Sequence, residues 1–534
     1  MFIDARRIAK GTQINTDICI IGAGAAGITL AREFSGQPFK VCLLESGGFD
    51  YEWDTQSLYQ GKNTGLPYYP LDAARLRFFG GTTNHWGGAC RPMDSIDFEV
   101  RDWVPHSGWP IDRAQLVPFY KRAHAVLQLG PFAYEGKDWT TEDRPPAKFD
   151  GGTLTSAVLQ QSPPTRFGKV YREEVGKAAN IDTYLHANVL EIGTNRSARE
   201  ATRLRVASLE RNEFFITAKA FIVATGGIEN PRLLLLSNRF NRRGLGNAHG
   251  MVGRFFLENP ISGWGNPGIV APTNFPVDFY RENNKGTITR EGTKGNGVFW
   301  GFITPTTETL RREKLLNCGI AVRAVPIETE SVGVESARYL KHSIGSGKWP
   351  DDFWKHVGNV ASDLDDIAFL GAKKLTGKEP PNVIEIMYWA EAAPNPDSRV
   401  RLSNDRDALG QQRVSLDWRL TELDARNVRK VLEMFAAELG QSGLGRLGVN
   451  PTLWEDDWAS LFEGSYHHMG TTRMHDDPKQ GVVDASCRVH GVSNVYVAGS
   501  SVFPATGHAN PTITIVALAL RLADHIKAQM RQSS

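Results

Sequence analysis

Two segments near the C-terminus carry side chains suited to moving a proton. SYHHMGTTRM places His467 and His468 shortly before a glycine, and GHANPT places Asn510 immediately before a proline. A neutral imidazole, with an ordinary pKa of ~6.5, can take up a hydroxyl proton near neutral pH. A carboxamide does not compete as a base, but its N–H can donate to an oxygen on which negative charge develops, or fix that oxygen's orientation. His467 is one candidate base, with Asn510 a candidate partner. His468 is the alternative base, since neighbours on an extended segment point to opposite sides. His508, two residues before Asn510, is read as a substrate-side or supporting residue. Taking the proton from an alcohol oxygen is half of an oxidation, and the hydride on carbon needs a separate acceptor.

The place for that acceptor is legible at the N-terminus, in ICIIGAGAAGITLAREF. Residues 16–21 form an apolar, β-branched run, residues 25–34 have helical composition, and residues 40–44 (KVCLL) make a second apolar strand ending in Glu45. This β-α-β setting gives a GxGxxG pattern its meaning. Gly22 permits the tight turn, Gly24 lets the backbone approach a pyrophosphate, and Gly27 allows the helix to pack on the strand. The helix N-terminus then offers free N–H groups and its positive dipole end to phosphates. Glu45 stands where a carboxylate accepts hydrogen bonds from ribose hydroxyls.

Two more apolar strands end in glycine-rich turns: residues 220–224, running into TGGIENPRLLLLS, and residues 495–498, running into Gly499-Ser500. Strand ends facing one crevice are where open α/β sheets bind ligands. The nucleotide domain is therefore read as discontinuous, from residues 1–100, 186–260 and 465–534, with a second, substrate-binding domain from 101–185 and 261–464. Two domains also suit 534 residues, because single cores stop growing near ~250–300 residues. A charged patch at 351–374 carries Trp354, Val357, Val360, Leu364 and Phe369 at helical spacing and is read as a surface helix.

Composition removes several classes. Lys and Arg number 61 against 59 Asp and Glu, a net charge of +2, so no basic field points to nucleic acid or an anionic membrane. The N-terminus lacks the apolar core of a signal peptide, and no stretch approaches the ~18 apolar residues that span a bilayer. Five scattered cysteines without a CxxC pair fit a reducing compartment, so a cytoplasmic enzyme is expected. The remaining histidines show no metal spacing, and no metal site is expected.

In order and spacing these motifs resemble the glucose-methanol-choline (GMC) flavin oxidoreductases over nearly the whole chain. The carriers are GAGAAG with Glu45, FFGGTTNHWGG (78–88), RDWVPHSGWPIDRAQLVPFYKRA, HANV (186–189), ATGGIENPRLLL, VGRFFLENP and the C-terminal tail. The resemblance implies an α/β fold: a discontinuous Rossmann-like FAD-binding domain, with a second α+β substrate-binding domain carrying an antiparallel sheet. It implies FAD as cofactor. Gly22, Gly24, Gly27, Glu45 and Ser46 would hold pyrophosphate and ribose, Val189 would meet the adenine end, and Ala224, Thr225 and Gly226 would line the cofactor. Gly80, Gly81, Thr82, Thr83, Asn84, His85 and Trp86 would run along the flavin, with Gly499, Ser500, Asn510, Pro511 and Thr512 closing over its ring. Asn510 is also placed to cap the helix that Pro511 begins.

Within the family, the HW, TTRM and ANPT segments are most similar to pyranose oxidases, glycoside 3-dehydrogenases and C-glycoside 3-oxidases. In that branch the histidine matching His85 can be joined covalently to the flavin. Here Thr83-Asn84 replace the Ser-Thr of that branch, and an unattached histidine packing on the ring is the preferred reading. The implied reaction is ping-pong oxidation of a secondary alcohol of a sugar or glycoside, at C3 or C2, to a ketone. Hydride would pass to the flavin N5, His467 would take the proton, and dioxygen, a quinone or a protein would be the electron acceptor. The alternatives are a GMC enzyme acting on a non-sugar alcohol, or a non-redox flavin lyase or decarboxylase. Oligomeric state is not legible.

Overall fold

The computed structural model describes residues 1–532 apart from 140–142, 291–292, 327–335, 337–338, 344–349, 351 and 363–381. Short apolar runs closed by glycine are too brief for helices and pair as strands. Six short strands form a wholly parallel sheet in the order Phe2–Asp4, Ile181–Leu185, Val41–Leu44, Ile18–Ile21, Ala220–Val223, Val495–Val497. The four strands from Val41–Leu44 to Val495–Val497 are buried at every position, as parallel strands covered on both faces must be. The helix Ala25–Phe34 follows the first glycine turn, and the C-terminal helix Thr512–Gln532 packs against it and against Arg113–Leu127.

The expected boundary at residue 185 is corrected by this sheet. Ile181–Leu185 pairs in register with Val41–Leu44, although it falls in the block assigned to the second domain. Its sequence IDTYL interrupts the apolar run with Asp182 and Thr183, so it lacks the signature of its neighbours. Conversely, Ala89–Cys90, from the first block, joins the second sheet.

That second sheet is antiparallel and has ten strands among the described residues. Its central ladder joins Asn382–Ala390, Cys318–Pro326, Thr293–Pro305 and Leu154–Gln161. The helix Glu422–Gln441 lays Val428, Val431, Leu432, Phe435 and Leu439 into the core beneath it. At one side Pro260–Ser262 pairs with Phe462–Gly464, and one bridge further on Leu257 and Met469 exchange both backbone hydrogen bonds at 3.0 Å. Glu258-Asn259 are thereby laid against residues 465–468.

The surface helix read at 351–374 is present as Phe353–Ser362, with Trp354 80% exposed; Leu364 and Phe369 lie outside the described residues. Among the described residues no helix is long and apolar enough to cross a membrane.

Candidate active site

A cavity of about 590 Å³ runs from the glycine turn of the parallel sheet to the two C-terminal segments. Gly22, Gly24, Glu45, Ser46, Gly81, Thr82, Thr83, His85, Trp86, Val189, Ala224, Thr225, Gly226, Gly499, Ser500, His467, Asn510, Pro511 and Thr512 all line it. Three of the expected cofactor residues, Gly27, Gly80 and Asn84, do not. Gly27 lies behind the turn, where an added Cβ would run into the Gly22 carbonyl, so its part is the packing of helix on strand. Asn84 turns its amide inward to donate to the Phe79 carbonyl at 2.9 Å, bracing the 80–84 loop.

The nucleotide end has the form of a cradle. Gly22 has φ +103°, and a Cβ there would stand 2.6 Å from the Ala224 carbonyl, so the turn requires glycine. At Gly24 an added Cβ meets no protein atom within 4 Å; the space it would take belongs to the cavity. Glu45 is 6% exposed, and its oxygens accept from the Ala23 N–H at 2.9 Å and the Gly47 N–H at 3.2 Å. Burial pushes its carboxyl above the ordinary range, opposed by these N–H donors. A helix N-terminus, a glycine gap and an acceptor-rich carboxyl at a strand end are the donor and acceptor set that a dinucleotide requires, so the residues fit FAD.

At the other end the Nε2 of His467 is 3.4 Å from the Nδ2 of Asn510. The Nδ1 of His467 lies 3.0 Å from the Oδ1 of Asn259, and its backbone N–H donates to Glu258 at 2.8 Å. Burial lowers the pKa of His467 to about 4, leaving the ring neutral at physiological pH. The side chain of Asn510 faces His467 rather than capping the helix it precedes. His468 points elsewhere, its Nε2 2.9 Å from the Tyr68 hydroxyl, and burial lowers its pKa as well. His508 does not reach the cavity; it is 1% exposed and packs between Phe302 and Trp389.

Sequence reading gave no role to Glu258, Asn259 or Tyr68. Glu258 is fully buried and accepts from the Tyr68 hydroxyl and the N–H groups of Ser465, His467 and Asn259. Burial raises its pKa to about 7, against those donors. Glu258 and Asn259 follow the apolar run of VGRFFLENP, which marks two polar residues but does not say what they face.

Beside His467, Tyr466 lines the cavity while remaining 46% exposed. It adopts φ +62° and stacks on Tyr69 at 4.2 Å with rings 20° apart. A bulky residue in the left-handed region marks a constrained position.

Residues 394–519 match the family model of GMC oxidoreductases, and residues 17–334 match that of FAD dependent oxidoreductases. The chain is 36% identical to paromamine 6'-oxidase of Streptomyces fradiae over 570 residues, covering 96% of this chain and 92% of that one. It is 31% identical to C-glycoside 3-oxidase of Arthrobacter globiformis over 136 residues, a quarter of each chain. Among solved structures, a variant of formate oxidase from Aspergillus oryzae superimposes with a TM-score of 0.53 at 16% identity, over 98% of this chain and 100% of the other.

Proposed function

The chain belongs to the GMC oxidoreductases, FAD-dependent enzymes acting on CH–OH groups, and from that premise we propose that it oxidises a hydroxyl of a sugar or glycoside to a carbonyl. The observation that carries the reading is the pairing of His467 Nε2 with Asn510 Nδ2 on the wall of the cavity. FAD, when bound, supplies the two-electron acceptor. His467, neutral at working pH, takes the hydroxyl proton at Nε2. Asn510 donates from Nδ2 to the substrate oxygen as charge develops on it. The half-exposed Tyr466, held by Tyr69, offers an aromatic face at the cavity, the surface on which the C–H face of a pyranose stacks.

For the position oxidised, the sequence pattern favours a ring carbon, C3 or C2, giving a ketone. Paromamine 6'-oxidase, which matches over almost the whole chain, is named for a 6' position, which favours the exocyclic hydroxymethyl and an aldehyde instead, whereas the 3-oxidase likeness covers a quarter of the chain. Anaerobic bleaching of the bound flavin by glucose, methyl glucosides and amino sugars, against choline and benzyl alcohol, tests the class. Bleaching by the non-sugar alcohols alone would refute it. NMR of the product separates aldehyde from ketone, and reoxidation by dioxygen, a quinone or a carrier protein identifies the acceptor. The five buried, unpaired cysteines support a reducing, cytoplasmic compartment.

A further inference from the structure

We propose that Asn259 is a positioning residue that fixes the tautomer of His467, placing the ring proton on Nδ1 and leaving the Nε2 lone pair toward the cavity. The inference rests on the reading of His467 as the base. It begins with an amide whose orientation chemistry alone decides. One end of the Asn259 side chain lies 2.9 Å from the Ala390 carbonyl oxygen and 2.8 Å from the Gly507 carbonyl oxygen. Backbone carbonyls only accept, so the group facing both must be the NH₂, with its two donors fully used. The other end is therefore Oδ1, an acceptor, and it stands 3.0 Å from His467 Nδ1. An acceptor there calls for an N–H on Nδ1, and a neutral imidazole with Nδ1 protonated has its lone pair on Nε2.

The surroundings leave Asn259 no freedom to turn over. It is 1% exposed, and rotation would set Oδ1 against two carbonyl oxygens. The backbone on both sides is tied as well, through Glu258 Oε1 to the His467 N–H and through the Asn259 carbonyl to the Ser465 hydroxyl at 2.7 Å. Gly507 belongs to the loop that carries Asn510, so one carboxamide registers the strand of the second sheet at Ala390, the base and the loop of its partner. Without it the free imidazole preference for the Nε2-protonated form would return, and that form has no lone pair on Nε2 to offer a hydroxyl in the cavity. Once Nε2 has taken its proton, Oδ1 still accepts from Nδ1 and steadies the imidazolium.

The test is ¹⁵N NMR of the holoenzyme labelled at histidine, with the His467 signals identified by their loss in His467→Gln. The expected pattern is a pyrrole-type Nδ1 and a pyridine-type Nε2. An Nε2-protonated His467 ring in the wild-type protein overturns the proposal. In Asn259→Leu the tautomer should shift toward Nε2–H, and anaerobic flavin reduction should slow by about 10- to 100-fold with little change in substrate affinity. An unchanged tautomer in Asn259→Leu also overturns the proposal. Because the NMR signature involves no substrate, its failure leaves the sugar reading standing, and an unreactive sugar panel leaves the tautomer assignment standing.

Discussion

In the proposed reaction the proton passes to a histidine that burial keeps neutral, and this sets what single substitutions should do. His467→Ala should slow anaerobic flavin reduction by ~100–10,000-fold while FAD stays bound, because the ring supplies the proton acceptor and no part of the nucleotide cradle. Stopped-flow reduction with the flavin-to-protein ratio measured in parallel checks both halves, and an unchanged rate would move the role to His468. With a pKa of about 4, Nε2 is filled by a solvent proton only in acid, so the reduction rate should fall as pH drops through that value. On the proposed sugar reading Tyr466 acts on affinity instead: Tyr466→Ala should raise the sugar KM by about 10-fold with kcat largely kept, the size of a lost aromatic contact. His467 and Asn510 were legible because each sits in a local motif. Asn259 was not, since its role arises from contacts with residues 208 and 248 positions away in sequence, and no local pattern records them. Asn84 was read with its motif although its side chain serves the loop, because sequence does not say which way a side chain turns.

At the scale of elements, the glycine turn separates holding a cofactor from holding a fold. Gly24→Ala puts a methyl into cavity space and meets no protein atom, so the thermal midpoint of the apoprotein should stay near wild type while the purified flavin-to-protein ratio drops. Gly27→Ala drives a methyl into the Gly22 carbonyl, so the helix Ala25–Phe34 must shift, and stability and flavin content should fall together. Full flavin retention in Gly24→Ala would show that the pyrophosphate does not pass there. This turn, its strands and its helix were readable in advance because uninterrupted apolar runs closed by glycine have few other folds. The strand Ile181–Leu185 escaped because Asp182 and Thr183 break its run, and its place comes from pairing with Val41–Leu44 rather than from its own composition. The order of the antiparallel sheet was likewise hidden: it joins segments as distant as Leu154–Gln161 and Thr293–Pro305.

Taken whole, the molecule buries several titratable groups, and they oppose one another in pH. Arg101 and Glu391 pair with both side chains fully buried, and Asp97 beside them is pushed well above the ordinary carboxylate range by burial and by Asp94 and Glu391. His508 lies nearby with neither ring nitrogen hydrogen-bonded and its Nδ1 3.8 Å from Asp94; burial lowers its pKa to about 4. A histidine depressed from 6.5 in the unfolded chain to about 4 in the folded one contributes stability that is complete above pH 6.5 and is lost as pH falls toward 4. That difference is worth about 3 kcal/mol for one such residue. Glu258, raised from 4.5 to about 7, acts with the opposite sign: its cost to the fold is absent below 4.5 and complete above 7. Between about 4.5 and 6.5 the two offset each other, so His508 sets the loss of stability below that range and Glu258 the loss between it and pH 7. His508→Phe isolates the acid limb, since phenylalanine fits between Phe302 and Trp389 and does not titrate. Melting temperatures from pH 4 to 8 should show a shallower acid decline in this variant, with flavin content and the rate of flavin reduction retained. An acid limb as steep as wild type would mean that His508 is already protonated in the native protein, paired with Asp94 across 3.8 Å, and that other groups drive acid unfolding.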